Sequence, residues 1–159
     1  MIPYQKQQVL QQLIQQLERT SGIVAKAAER TRQEAITAEG RMQTRYGSEK
    51  EETGYLADGL SQRNQEIQKG IDLLRSFALP QISHRVERGC LVRLADERGE
   101  PNDYFVLPYG GGESLATEHG DITVLSPTAP LGRLILNKTK GDRFPFNGTK
   151  QNYTIVEVL

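Results

Sequence analysis

Three carboxylates stand within four residues, at Glu49, Glu51 and Glu52, directly after Gly47 and Ser48. Carboxylate oxygens are the ligands that a hard cation such as Mg²⁺ takes. On a helix, Glu49 and Glu52 share a face at i,i+3, while each single step rotates a side chain by about 100°. The same residues also have a plain structural use. Ser48 followed three residues later by Glu51 is a capping box, and acidic residues in a first helical turn are favoured by the helix dipole. The remaining chemistry-bearing side chains are scattered. Cys90 is the lone cysteine and has no Cys or His neighbour at zinc spacing, and His84 and His119 stand apart. Surface or core roles are expected for both histidines.

These carboxylates need an element to position them. From Gln5 to about Ala78 the chain has no proline and is rich in Gln, Glu, Lys, Arg, Leu and Ala, which are good helix formers. Apolar residues recur at helical spacing on one arm at Leu10, Leu13, Leu17, Val24, Ala27, Ala35, Ala38 and Met42. On the other arm they are Leu56, Leu60, Ile67, Ile71 and Leu74. That three-four alternation is the seam of an antiparallel coiled coil. Alanines thin its middle between Ala25 and Ala38. The break is expected at residues 46–48, with Gly47 closing the first helix in the left-handed conformation and Ser48 capping the second. A first arm from Gln5 to Arg45 would run roughly 60 Å and a second, Glu49 to Phe77, roughly 44 Å. The acidic cluster would then lie at the turn end, as a reach device or interaction surface.

Pro80 ends the helical half, and short β-branched and aromatic runs follow. Strands are expected at Cys90–Leu94, Tyr104–Leu107, Asp121–Leu125 and Tyr153–Val158, with Arg143–Phe146 entering the sheet from the Lys140-Gly141-Asp142 turn. Ser126-Pro127 reads as an N-cap with proline at the first helical position. The short helix it opens carries Leu131, Leu134 and Ile135 inward. The whole is an α+β chain: residues 1–79 an antiparallel coiled-coil hairpin, residues 80–159 a small domain with an antiparallel sheet and one short helix.

Composition excludes several classes. Twenty Lys and Arg balance twenty Asp and Glu in 159 residues, so specific recognition of duplex DNA is not expected. No apolar run reaches signal-peptide or membrane length, so no membrane partner is expected and the cytoplasm is the expected location. Trp is absent, with six Tyr and four Phe, which poorly furnishes an aromatic ligand pocket.

The string from Ile122 through Ser126-Pro127, Leu131-Gly132-Arg133 and Asn137-Lys138, then Lys140-Gly141-Asp142 and Tyr153–Val158, resembles the C-terminal domain of the Gre transcript-cleavage factors. That domain has an FKBP-like fold, in which a strand, a Ser-Pro helix start, a short helix, a Gly-Asp turn and a last strand follow in this order. The first half resembles the Gre helical hairpin, with Gly47, Glu51 and Tyr55 at the glycine, acidic and tyrosine positions of its tip. Two departures stand out. Ser48 occupies the position where the family usually has aspartate, and the first arm lacks the usual Arg-Pro interruption and is about a heptad longer.

The resemblance implies an accessory factor that has no catalytic residues of its own and acts on bacterial RNA polymerase. The globular domain would bind the rim of the secondary channel, with Asp121, Ser126 and Pro127 as contacts. The hairpin would bring Glu51, with Glu49 and Glu52 as an alternative pair, towards the polymerase active centre and the nascent RNA 3′ end. No metal or cofactor would be stably bound; a Mg²⁺ ion would be shared with the polymerase. Arg41, Arg45, Lys50 and Arg63 are candidate contacts to RNA phosphate or polymerase, against a solvated helix face as the ordinary role of such charges. Since a hydroxyl cannot replace a carboxylate on a divalent ion, Ser48 keeps open a non-cleaving inhibitor or competitor of the same build. Outside this class stand a prolyl isomerase, which proline-peptide turnover would reveal, and a coiled-coil adaptor or chaperone, which lysate pull-down would reveal by clients without polymerase.

Overall fold

Two long helices open the chain, α1 at Lys6–Arg41 and α2 at Gly47–Ser76. They are followed by strands β1 (Leu91–Ala95), β2 (Pro101–Val106), β3 (Ser114–Thr117) and β4 (Gly120–Leu125), helix α3 (Pro130–Ile135), and strands β5 (Arg143–Pro145) and β6 (Asn152–Val158). This computed structural model describes residues 2, 4–41, 47–146 and 151–159, and the side chains among them except those of 38–41 and 47–53. The chain forms two compact units: Met1–Ile14 with Leu73–Leu159, and Gln15–Asp72. The first of these units takes in the first turns of α1 and the last turn of α2 with the sheet.

In the Gln15–Asp72 unit the helices run antiparallel, as cross-helix bonds show. Ser21 bonds to Asn64 and Gln68, and Arg32 approaches Ser61. The buried positions step by three and four along α1 at Leu17, Ser21, Val24, Ala28 and Thr31, a two-helix seam. On α2 they are Ala57, Ile67 and Ile71, with Leu60 and Asn64 half-buried between them. This corrects the sequence pattern in two places. Leu56 is 57% exposed while Ala57 beside it is 3% exposed, because one residue of rotation, about 100°, takes Leu56 off the seam. The seam also runs through Ser21 and Thr31, which an apolar count passes over. Ala27 and Ala35 are half-buried; Ala38 and Met42 lie outside the described side chains.

Gly47 is the first residue of α2 and Ser48 the second, so Ser48 lies within the first turn of that helix; residues 42–46, where the first helix is expected to approach its close, lie outside the described residues. The run of Glu and Lys that follows favours helix, and extending a helix already formed adds one hydrogen bond for each residue fixed.

The sheet of the other unit has the order β3-β4-β2-β1-β6-β5. Four of its pairings are antiparallel, but β2 and β4 run parallel, Phe105 opposite Val124. The α+β class stands, and the sheet is mixed rather than wholly antiparallel. The physical reason is β3, a short strand that the sequence pattern does not reveal. It lies between β2 and β4 in the chain and forms the hairpin with β4, so β4 returns in the direction of β2. Parallel neighbours need such an intervening connection.

Alternation along the strands buries both sheet faces. One face holds Leu91, Phe105, Leu115, Ile122 and Val124, each at most 1% exposed. On the other, Val86, Cys90, Val92, Leu94, Val106, Ile135, Phe144 and Ile155 form a continuous core, with Leu131 and Leu134 packed against it. Ile135, Leu131 and Leu134 of α3 therefore face inward as expected. In the same unit, α1 buries Val9, Leu10, Leu13 and Ile14. Gln12 Nε2 donates to the Ala116 carbonyl of edge strand β3 at 2.7 Å, capping a group that an open sheet edge leaves bare. Opposite residues Arg93 and Asp103 of β1 and β2 form a two-pronged ion pair at 2.7 and 2.8 Å. Asp103 raises the Arg93 pKa further through that hydrogen bond.

Candidate functional site

The acidic cluster is built by α2. Its backbone carries Glu49, Glu51 and Glu52 as the third, fifth and sixth residues of the helix. The antiparallel register of α1 and α2 places these residues at the turn end of the hairpin unit. A helix start exposes unpaired N–H groups and a partial positive charge. The side chains of Gly47 to Glu52, Lys50 included, and of Arg41 lie outside the described ones, and Arg45 lies outside the described residues. Arg63 is exposed, and Tyr55 is 75% exposed. Among the described residues, no group of three His, Cys, Asp or Glu is placed to hold a metal ion.

The second candidate region is the end of β4 and the turn after it. Asp121 is exposed and opposes Ala116 in the β3–β4 hairpin. Ser126 follows the far end of the same strand, roughly 17 Å away at about 3.4 Å per residue. Asp121 and Ser126-Pro127 are therefore separate points rather than one cluster. Ser126 Oγ lies 2.9 Å from Thr128 Oγ1 and accepts the Thr128 N–H, while the Ser126 carbonyl accepts the Ala129 N–H at 3.1 Å. These bonds close a four-residue turn.

The helix begins after that turn. Ala129 is the N-cap, with no side-chain cap bond, and Pro130 stands at the helix start. The expectation that Ser126 caps α3 and Pro127 opens it is therefore corrected: Pro130 takes the position where a missing N–H costs least. Pro127 is instead buried.

Two glycines hold the Ser126 backbone. A Cβ on Gly111 would meet Ser126 Cβ at 3.1 Å and its N at 3.2 Å, and a Cβ on Gly132 would sit 2.0 Å from the Ser126 carbonyl oxygen. The triple-glycine loop thus has a packing reason, which its composition alone did not reveal.

Other polar chemistry lies elsewhere in the same unit. A groove of about 640 Å³ is lined by residues including Tyr4, Gln8, Gln12, Thr117 and His119. Tyr4 donates to the His119 carbonyl at 3.1 Å, and burial pushes its hydroxyl pKa up. Lys6 donates to the Pro80 carbonyl, and burial lowers its pKa. A second cavity of about 560 Å³ is lined by Pro130, Arg133, Leu134 and Phe146. Cys90 is buried, and His84 and His119 are exposed. Sequence reasoning also missed Ser21, Asn64 and Gln68, whose signal is polar residues at seam spacing.

No protein-family model and no curated protein sequence matches the chain. Among solved structures, it is similar to the GreA factor homolog 1 (Gfh1) protein of Thermus thermophilus, at 21% identity and a TM-score of 0.36, covering 94% of each chain. The Thermus aquaticus Gfh1 matches at 19% identity and a TM-score of 0.38, over 93% of this chain and 92% of that one. The prokaryotic transcription elongation factor GreA/GreB from Nitrosomonas europaea matches at 22% identity and a TM-score of 0.34, over 58% of this chain and 78% of that one. Among the described residues, no helix is long and apolar enough to cross a membrane.

Proposed function

We propose that this protein is an accessory factor of bacterial RNA polymerase, acting at the secondary channel. The supporting observation is the antiparallel pairing of α1 and α2, which puts Glu49, Glu51 and Glu52 at the turn end of a two-helix unit. The Gre-like string from Ile122 to Lys138 supports the same reading for the sheet unit. In this reading the sheet unit binds at the channel rim through Asp121 and the turn at Ser126-Pro127, and the hairpin enters the channel.

A shared Mg²⁺ would stabilise charge on the reacting phosphate oxygens. The chain's own part is to supply carboxylate oxygens, Glu51 first, which suit a hard divalent ion. Arg41, Arg45 and Lys50 would face RNA phosphate or acidic polymerase surface near the same end. The polymerase performs the cleavage and the factor remains a non-enzyme.

Ser48 favours a second reading, an inhibitor or competitor that occupies the channel without promoting cleavage, because a hydroxyl brings no negative charge to a divalent ion. Backtracked elongation complexes with end-labelled RNA separate the two. Shortened RNA that disappears with Glu51→Ala is the expected result for a cleavage factor. Unchanged RNA with slowed elongation identifies the inhibitor. Absence of binding to polymerase overturns both.

A further inference from the structure

We infer that Ser21, Asn64 and Gln68 form a register lock that sets how far α1 and α2 are staggered along each other. Ser21 is 3% exposed and sits at the centre of a two-bond bridge. Its hydroxyl donates to Asn64 Oδ1 at 2.5 Å and accepts from Gln68 Nε2 at 2.6 Å. A hydroxyl with one proton to donate and lone pairs to accept can satisfy both amides in one alignment of the helices. Asn64 and Gln68 are one helical turn apart on α2 and straddle Ser21 on α1.

The rest of the seam above the bridge discriminates poorly between alignments. Apart from half-buried Leu60, the seam there is built of Val24, Ala28 and Ala57, which are small, so its knobs and holes are shallow. Sliding one helix by about half a heptad, which is about 5.4 Å, exchanges one seam layer for the next and still buries small residues. The other buried polar seam residue gives no cross-helix information, since Thr31 Oγ1 donates to the Ala27 carbonyl of its own helix at 2.8 Å. Arg32 and Ser61 are exposed partners at 3.5 Å, too long and wet to hold alignment. A slipped hairpin would leave the buried Ser21 hydroxyl without its cross-helix partners, while half-buried Asn64 and exposed Gln68 can turn to water; the cost falls on the one buried polar position, the kind that specifies coiled-coil register. The three residues act as positioning residues for whatever stands at the turn end, the Glu49 to Glu52 cluster included.

The lock is tested on the free full-length protein, so its outcome is independent of any polymerase activity. Arg30→Cys and Lys69→Cys provide exposed spin-label sites on the two helices, on opposite sides of the bridge and offset by about 18 Å along the axis, so that a slide changes their separation; buried Cys90 is withheld from the label. Pulsed dipolar spectroscopy should give one narrow distance in the parent. Ser21→Ala should add a second population displaced by up to about 5.4 Å, with helical circular dichroism retained, and Ser21→Thr, which keeps the hydroxyl, should restore the single distance. Where Ser21→Ala loses helicity, Asn64→Ala, which removes the amide that accepts from Ser21 and leaves the buried hydroxyl in place, should give the two populations. A single unchanged distance in a helical Ser21→Ala or Asn64→Ala protein, or a Ser21→Thr distribution as broad as that of alanine, overturns the lock.

Discussion

Replacing Gly132 by alanine should destabilise the sheet unit, although alanine is the better helix former and Gly132 lies inside α3. Three backbone atoms decide the sign. An added Cβ would stand 2.0 Å from the Ser126 oxygen, 3.0 Å from the Ser126 carbonyl carbon and 3.1 Å from Pro127 Cα. None belongs to a flexible side chain that could swing away. Restoring an ordinary contact requires α3 and the 126–129 turn to part by roughly 1 Å, against packing that holds carbon atoms near 3.5–4.0 Å. Ser126 and α3 are both tied down. The Ser126 carbonyl accepts the Ala129 N–H at 3.1 Å, and Ile135 is fully buried in the core.

Overpacking of this kind costs about 1–3 kcal/mol, and weakening the turn bond adds about 1 kcal/mol. The helix-propensity gain of alanine over glycine returns about 1 kcal/mol. The net expectation is a loss of about 1–3 kcal/mol. Urea unfolding followed by circular dichroism reads this as a midpoint lowered by about 1 M, given slopes of about 1–3 kcal/mol/M for small proteins. A Gly132→Ala midpoint equal to or above that of the parent would refute the close-approach argument.

Two further outcomes follow from the same structure. Gly22 and Gly59 lie in α1 and α2 with nothing within 4 Å of an added Cβ, so Gly22→Ala and Gly59→Ala should each raise stability by about 0.5–1 kcal/mol; thermal melting checks the direction. Burial raises the pKa of Tyr4 and, with Tyr153 as a lesser cause, that of Tyr104 above the ordinary 10.0. A raised folded-state pKa contributes stability that is fully present below pH 10 and lost as pH rises through the folded value. Spectrophotometric titration of the six tyrosines should therefore show part of the tyrosinate signal delayed above pH 10 and released on alkaline unfolding; a single step near pH 10 in the folded protein would contradict it.

Local pattern determined much of this protein. The proline-free run to Ala78 at three-four apolar spacing makes two helices, because a 3.6-residue period buries one stripe and solvates the rest. The β-branched and aromatic runs after Pro80 make strands, because such side chains fit a pleated surface and successive ones go to opposite faces of the sheet. Leu17, Val24, Ile67 and Ile71 could be assigned to a seam on those grounds alone, as could the inward side of α3.

Only tertiary packing decided the remainder. Both Pro127 and Pro130 satisfy the local rule for a helix start, and the choice went to Pro130 because Ser126-Pro127 is held in a turn beneath Gly111 and Gly132. The short strand β3 carries little sequence signal, yet its pairing with β4 makes β4 parallel to β2. Ser21 looks like a surface residue until Asn64 and Gln68 arrive from 43 and 47 residues away. In each case the deciding partner is distant in the chain, and a local period carries no information about which distant group will fill a hydrogen bond or a gap.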